Sequence, residues 1–266
     1  MRWLPVDTET LVVTKPLDGA SISFSAWPMG CPENRLTDLT SLPGLYLAHG
    51  ARKFQYPKSI GVGLFEGASI LGLNDTNIAK AKTILAKAKL FSFPSCGQTI
   101  YKHSQKVNNG EDANYYICTV GNILIIATNR AYLETILTRM DKNTTDRALP
   151  DQLEEWKYID RSANFWAIHH INPLTRLTSW GLDLNDSKME GFTAEIKPEG
   201  SLRFVSLSNN PSGYEIAEKT WKGMEIKPTV SKLNQKATEI LISKEPTEAG
   251  RGLFYMIFPL GYAIAI

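Results

Sequence analysis

The sequence predicts an α+β protein: antiparallel sheet built from repeated β-hairpin plus helix units, with the helices packed on one face. Two observations carry this expectation. An apolar run, a Gly-containing tight turn, a second apolar run, a polar cap cluster and a helix-period segment follow one another three times along the chain. Hydrophobic residues make up 43% of the chain against 21% charged, which is enough Leu, Ile, Val and aromatic side chain for a sizeable core. The 266 residues are expected to fold as two closely packed halves, 1–145 and 146–266.

Taken in order, Thr10 to Thr14 reads as a strand. The first unit then runs from Ile60 to Phe65, turns at Glu66-Gly67, and returns over Ala68 to Leu73. Asn74-Asp75-Thr76 supplies cap candidates for a helix reaching about Leu90, whose apolar stripe is Ile78, Ala81, Leu85 and Ala88. Thr99 to Ser104 is a further strand. In the second unit Tyr115 to Val120 meets Gly121-Asn122, a pair suited to a type II′ turn because glycine tolerates positive φ at the first central position. Ile123 to Thr128 returns, Asn129 caps the next helix, and Leu133, Ile136, Leu137 and Met140 form its core face.

The polar stretch Lys142 to Asp160, with Pro150 inside it, is the expected connection between the halves, and Asn164 to His170 is a strand beyond it. In the third unit Phe192, Ala194 and Ile196 alternate with Thr193, Glu195 and Lys197, the pattern of a strand with one wet face. Pro198-Glu199-Gly200 fits a three-residue hairpin loop, Ser201 to Ser208 returns, and Asn209 to Ser212 precedes a helix facing inward through Tyr214, Ile216, Ala217 and Trp221. Thr238 to Ile242 is the last strand expected. The uncharged run Gly252 to Ile266 is read as a core element, helix or strand, because it is short for a span and Pro259 and Gly261 interrupt it.

Composition bears on function mainly by exclusion. With 29 Lys+Arg against 27 Asp+Glu and the basic residues scattered, no nucleic-acid footprint is expected, and no transmembrane segment. Cys31, Cys96 and Cys118 are too far apart for a CxxC-type site, so no metal and no cofactor is expected. Gly61, Gly63 and Gly67 lack the following helix N-terminus that a phosphate loop needs. No serine lies in a GxSxG or SxxK setting.

The candidate binding residues are therefore few. His169 and His170 are adjacent on a strand and point to opposite faces, with parity grouping His170 with Trp166 and Ile168, and His169 with Phe165 and Ala167. Glu154 and Trp156, beside Asp151 and Glu155, combine carboxylates with an aromatic ring as sugar sites do; a solvated first helical turn has the same composition. The six tryptophans are dispersed, as core anchors are.

The phrases LPVDTETLVVTKPL, PKSIGVGLFEGASIL, ATNRAYLETILTRM and ALPDQLEEWKYIDRSANFWAIHH together resemble a family of uncharacterised exported bacterial proteins with no established activity. The similarity covers most of the chain and is strongest from residue 2 to about 210. What it implies is location: a mature periplasmic or extracellular protein whose signal is absent, with Met1 in its place. The expected function is a noncatalytic extracytoplasmic binding or interaction protein with an unknown protein or small-molecule partner. The alternatives are a hydrolase-like enzyme with a site assembled around His169 and His170, and a structural domain of an envelope assembly.

Overall fold

The computed structural model describes residues 2–16, 36–53, 65–106, 112–142, 145–170, 189–222 and 228–242. Cys31, residues 60–64 of the first expected hairpin, and the run 252–266 lie outside them. Among the described residues are twelve strands and four helices, mostly antiparallel sheet, an α+β fold. The described residues group into two compact units: residues 2–8 with 13–148, and Glu9–Val12 with 149–242. A contiguous division of the chain would have left Glu9–Val12 in the first.

The first unit contains β2 (Tyr46–Lys53), β3 (Phe65–Gly72), β4 (Phe91–Ser95), β5 (Gln98–Lys106), β6 (Asp112–Val120) and β7 (Ile123–Ala127), hydrogen-bonded in the order β2-β3-β7-β6-β5-β4. It also contains α1 (Thr37–Thr40), α2 (Asp75–Lys87) and α3 (Arg130–Lys142). Leu124, Ile125, Ile126 and Ala127 of β7 are all buried, so this inner strand is covered on both faces. Its register places Leu71, Leu124, Ile126 and Ile117 on one face, where Ile78, Ala81 and Leu85 of α2 and Leu39 of α1 complete a single apolar cluster.

The other face carries Ile125, Ala127, Cys118 and Ile100, and α3 lies against it. Ser95 Oγ donates to Glu134 Oε1 at 2.6 Å, and the Arg130 guanidinium sits 4.5 Å from the ring centroid of Phe93, the cross-strand partner of Ile100. Helices thus cover both faces of this sheet, not one. The reason is visible in β7 itself: five successive apolar residues have no polar side to turn to water.

Asn74 Oδ1 accepts from the Asn77 N–H at 2.8 Å to start α2, and Lys89 at φ 50° ends it in the left-handed region. Asn129 Oδ1 accepts from the Tyr132 N–H at 3.1 Å to start α3. Between β6 and β7, Gly121 takes φ 54° as the hairpin turn requires. The Cys96-Gly97 turn between β4 and β5, also of two residues, has both at positive φ, 49° and 70°. Among the described residues β4 is the outermost strand of this unit, with Pro94 in it and Phe91 68% exposed.

The first hairpin differs from expectation. Glu66 and Gly67 are not a turn; they lie inside β3, paired with Arg52 and Ala51 of β2. Gly67 is there for closeness, since a Cβ would stand 2.9 Å from Gly50 O and 3.1 Å from the Ala51 Cβ. Glu66 is held by Arg52 through Nε at 2.9 Å and Nη2 at 2.7 Å, and by Asn129 Nδ2 at 2.6 Å, while Arg52 also reaches Asp7 at 2.6 Å. This chain of charges ties the N-terminal segment and the cap of α3 to the sheet face. Tyr132, wholly buried on α3, shares a 2.9 Å hydrogen bond with Thr8.

In the second unit, β1 (Thr10–Thr14, of which Thr10 to Val12 group here), β8 (Phe165–His170), β9 (Met189–Ile196), β10 (Leu202–Ser208), β11 (Thr229–Lys232) and β12 (Ala237–Ile242) follow the order β1-β8-β9-β10-β12-β11. The β9–β10 loop is Pro198-Glu199-Gly200, with Gly200 at φ 85° and Lys197 N–H bonded to Ser201 O at 2.8 Å. The fourth helix, α4 (Gly213–Lys222), follows β10. A five-residue 3-10 turn, Glu154–Tyr158, precedes β8. The series β2, β3, α2, β6, β7 and the series β9, β10, α4, β11, β12 share one topology: in each, the last strand hydrogen-bonds between the second and the third.

Three histidines are buried among the described residues, His49, His103 and His169. His49 shares a 3.0 Å hydrogen bond with Ser69 Oγ and His169 a 2.7 Å hydrogen bond with Thr10 Oγ1; burial pulls each down to a pKa of about 3. A lowered histidine pKa means that below the unfolded value near 6.5 the unfolded chain binds protons that the folded chain refuses, so stability is full above that pH and falls beneath it. Between pH 6.5 and 5, unfolding should take up as many as two protons, a loss approaching about 2.7 kcal/mol per pH unit. Urea denaturation across that range checks it, and His169→Gln should halve the slope; a flat profile would remove both histidines from the core.

Candidate functional site

The register of β8 against β9 settles where the two adjacent histidines point. His169 pairs with Phe192 and His170 with Gly191, so Trp166, Ile168 and His170 share one face with Gly191, Thr193 and Glu195, while His169 faces the other way with Phe192 and Ala194. His169 is 3% exposed, its ring 5.0 Å from that of Phe192. Burial, helped by the charge of His170, keeps it neutral, and its hydrogen bond ties β8 to Thr10. It is a core residue, in no position to exchange protons with a ligand.

His170 is different. Its Nδ1 lies 2.7 Å from Oε1 of Glu155, whose side chain is 3% exposed, while the histidine side chain is 39% exposed. The hydrogen bond to Glu155 comes first among the causes that raise its pKa above the ordinary histidine range; the charges of Glu155, Glu190 and Glu9 add to it against the effect of partial burial. The backbone fixes the ring from behind, because the His170 N–H donates to Glu9 O at 2.8 Å. With Nδ1 engaged, Nε2 is the nitrogen that remains, and it has no hydrogen-bond partner among the described residues.

Glu155 reaches this position because a 3-10 turn advances about 120° per residue and directs it at the sheet. Room for its carboxylate is made by Gly191: a Cβ there would collide with Glu155 Oε1 and stand 2.6 Å from His169 O. Glu154, the acid singled out from sequence, accepts from the Tyr158 hydroxyl at 3.5 Å and does not meet His170. Trp156 is buried, its Nε1 donating to Leu149 O at 3.1 Å and Pro150 O at 3.0 Å; Arg161 lies 4.1 Å over its ring, and Trp166 meets it edge-on at 5.9 Å. The two indoles therefore pack as a core pair under the 3-10 turn. The Trp166 Nε1 is buried without a partner among the described residues.

Farther along the same face, Glu195 is 2% exposed and fully engaged: by Lys197 at 2.5 Å, Arg203 at 3.2 Å and the Asp160 N–H at 2.6 Å. Arg203 goes on to Glu239 at 2.6 Å and to Tyr158 O at 2.8 Å. This network seats the C-terminal end of the 3-10 turn. Asn234 Nδ2 adds a 2.8 Å bond to the Tyr158 hydroxyl. Among the described residues no group of three or more His, Cys, Asp or Glu side chains is placed to hold a metal ion. No helix among them is long and apolar enough to cross a membrane.

Comparison with models of known protein families, with curated proteins and with solved structures finds no match to this chain.

The geometry makes Gly191 the residue on which the pair depends. Gly191→Ala should force Glu155 off His170, lower the His170 pKa toward that of a free histidine, and cost about 1–3 kcal/mol through overpacking. An NMR titration of the His170 Hε1 resonance with a parallel denaturation curve reads both; an unshifted pKa in the variant would show that Glu155 has another way to stay seated.

Proposed function

We propose that the chain is a noncatalytic binding protein of the extracytoplasmic space that takes a ligand bearing a hydrogen-bond acceptor at His170. The observation that carries this reading is the 2.7 Å pair with the buried Glu155 carboxylate. It fixes the ring and raises its proton affinity, so that the partly exposed imidazole presents Nε2–H as a donor over a wider pH range than a free histidine does. A carboxylate, carbonyl or hydroxyl oxygen is what accepts from such a donor. The location outside the cytoplasm rests on the sequence resemblance alone. The shared strand order of the two series described above supports reading the chain as a repeated hairpin-and-helix scaffold that presents this face.

A second reading is a hydrolase-like enzyme in which His170 is the acid–base group. The same buried carboxylate on Nδ1 favours it, since that contact orients a catalytic imidazole. The raised pKa weighs against it, because a base must be neutral before it can accept a proton.

Both readings are checked on one protein. Acetate, N-acetylated peptides and methyl glycosides are titrated into labelled protein while the His170 resonances are followed; at least one class should shift them, with the response abolished in His170→Ala. Chromogenic ester, amide and glycoside substrates are offered in parallel. Turnover that vanishes in His170→Ala would install the hydrolase reading, and silence of His170 toward every ligand class would remove the binding one.

A further inference from the structure

The 3-10 turn Glu154–Tyr158 is held to the sheet by polar contacts at two places of different chemistry, with the Trp156 ring packed edge-on against Trp166 of β8 between them. At its C-terminal end, Tyr158 O accepts from Arg203, the Tyr158 hydroxyl accepts from Asn234, and the Asp160 N–H donates to Glu195, a set of contacts that contains no histidine. At its N-terminal end the polar contact with the sheet is Glu155 on His170. Trp156, between the two, directs its indole N–H to the Leu149 and Pro150 carbonyls, which precede the turn in the chain and are not sheet residues.

We propose that the protonation state of His170 works as a clasp on the first half of the 3-10 turn, seating Glu155 on β8 and β9 when the ring is charged and loosening it when the ring is neutral. The physical basis is the burial of the carboxylate. Glu155 is 3% exposed in the space left by Gly191, so its charge has little water to fall back on. A charged imidazolium answers that charge fully; a neutral ring leaves only an ordinary N–H donor. The other titratable groups that act on His170 or are acted on by it are Glu190 on β9, Glu9 ahead of β1 and, on the opposite face of β8, its neighbour His169. The two further carboxylates favour the charged ring, and His169 stays neutral through the working range.

The sign follows from the direction of the shift. A raised histidine pKa contributes stability that is complete below the unfolded value near 6.5 and is lost as pH rises through the folded value. The clasp is therefore closed in mildly acidic solution and opens on the alkaline side. It needs no ligand, so it can fail while the binding reading stands, and the reverse.

Amide hydrogen exchange on the unliganded protein between pH 6 and 9 tests it, with rates corrected for intrinsic exchange. Protection of the Trp156 amide, which bonds Leu153 O, should fall by about tenfold across the range, with a midpoint equal to the His170 pKa read by NMR in the same samples. The Asp160 amide on Glu195 serves as the internal control and should not follow that titration. His170→Gln, which keeps a donor without a titration, should remove the pH dependence at Trp156. Trp156 protection that ignores pH in the native protein, or that still titrates in His170→Gln, overturns the clasp; should the variant fail to fold, the matching midpoints in the native protein decide.

Discussion

A strand buried on both faces leaves its neighbours no freedom about polar groups, and β7 imposes that constraint on the first unit. From Leu124 to Ala127 no side chain meets water, so everything packed on either side must be apolar or arrive already paired. Glu66 shows the second case. It is buried on the face that α3 covers, and Arg52 and Asn129 take up its oxygens before the helix cap closes over them. Removing Arg52 would leave a buried carboxylate without its counter-charge, which costs more than the pair itself contributes.

The second unit meets the same constraint with a different outcome. Glu195 is answered several times over and is electrostatically quiet: three donors surround it, and Arg203 passes the charge on to Glu239. Glu155 is equally buried but depends on a single side chain that can lose its proton. Two carboxylates on one sheet face thus serve different ends, one cementing the layer and one sensitive to its surroundings. The difference lies in the partners, arginine and lysine on one side and histidine on the other.

Much of this was legible in the chain. The unbroken run Ile123 to Ala127 identifies an inner strand, Gly121 and Gly200 mark their turns, Asn74 and Asn129 mark their helix starts, and strand parity alone separates the faces of His169 and His170. What escaped did so because it depends on residues far apart in sequence. Glu66-Gly67 reads as a turn until Arg52, fourteen positions upstream, is set beside Glu66 in β2. Choosing Glu155 over Glu154 requires the angular step of a five-residue 3-10 turn, too short to show a period, and it requires Gly191, which nothing local distinguishes from any other strand glycine. Covering of both sheet faces could have been anticipated, since β7 lacks the alternation that a one-sided strand displays.

The strand β4, outermost among the described residues, shows how an exposed margin can stay inert. Because Cys96-Gly97 is a two-residue turn, the hydrogen-bonded rungs toward β5 fall at Ser95, Phe93 and Phe91, and the main-chain groups of Ser92 and Pro94 look outward. Proline has no N–H to offer there, so a foreign strand laid along this side would find a missing rung in the middle of its ladder. The exposed ring of Phe91 can then remain at the surface without a neighbouring molecule zipping onto the backbone beside it. One imino acid, placed on the outward rung and not the inward one, separates a hairpin that ends the sheet from one that would template its growth.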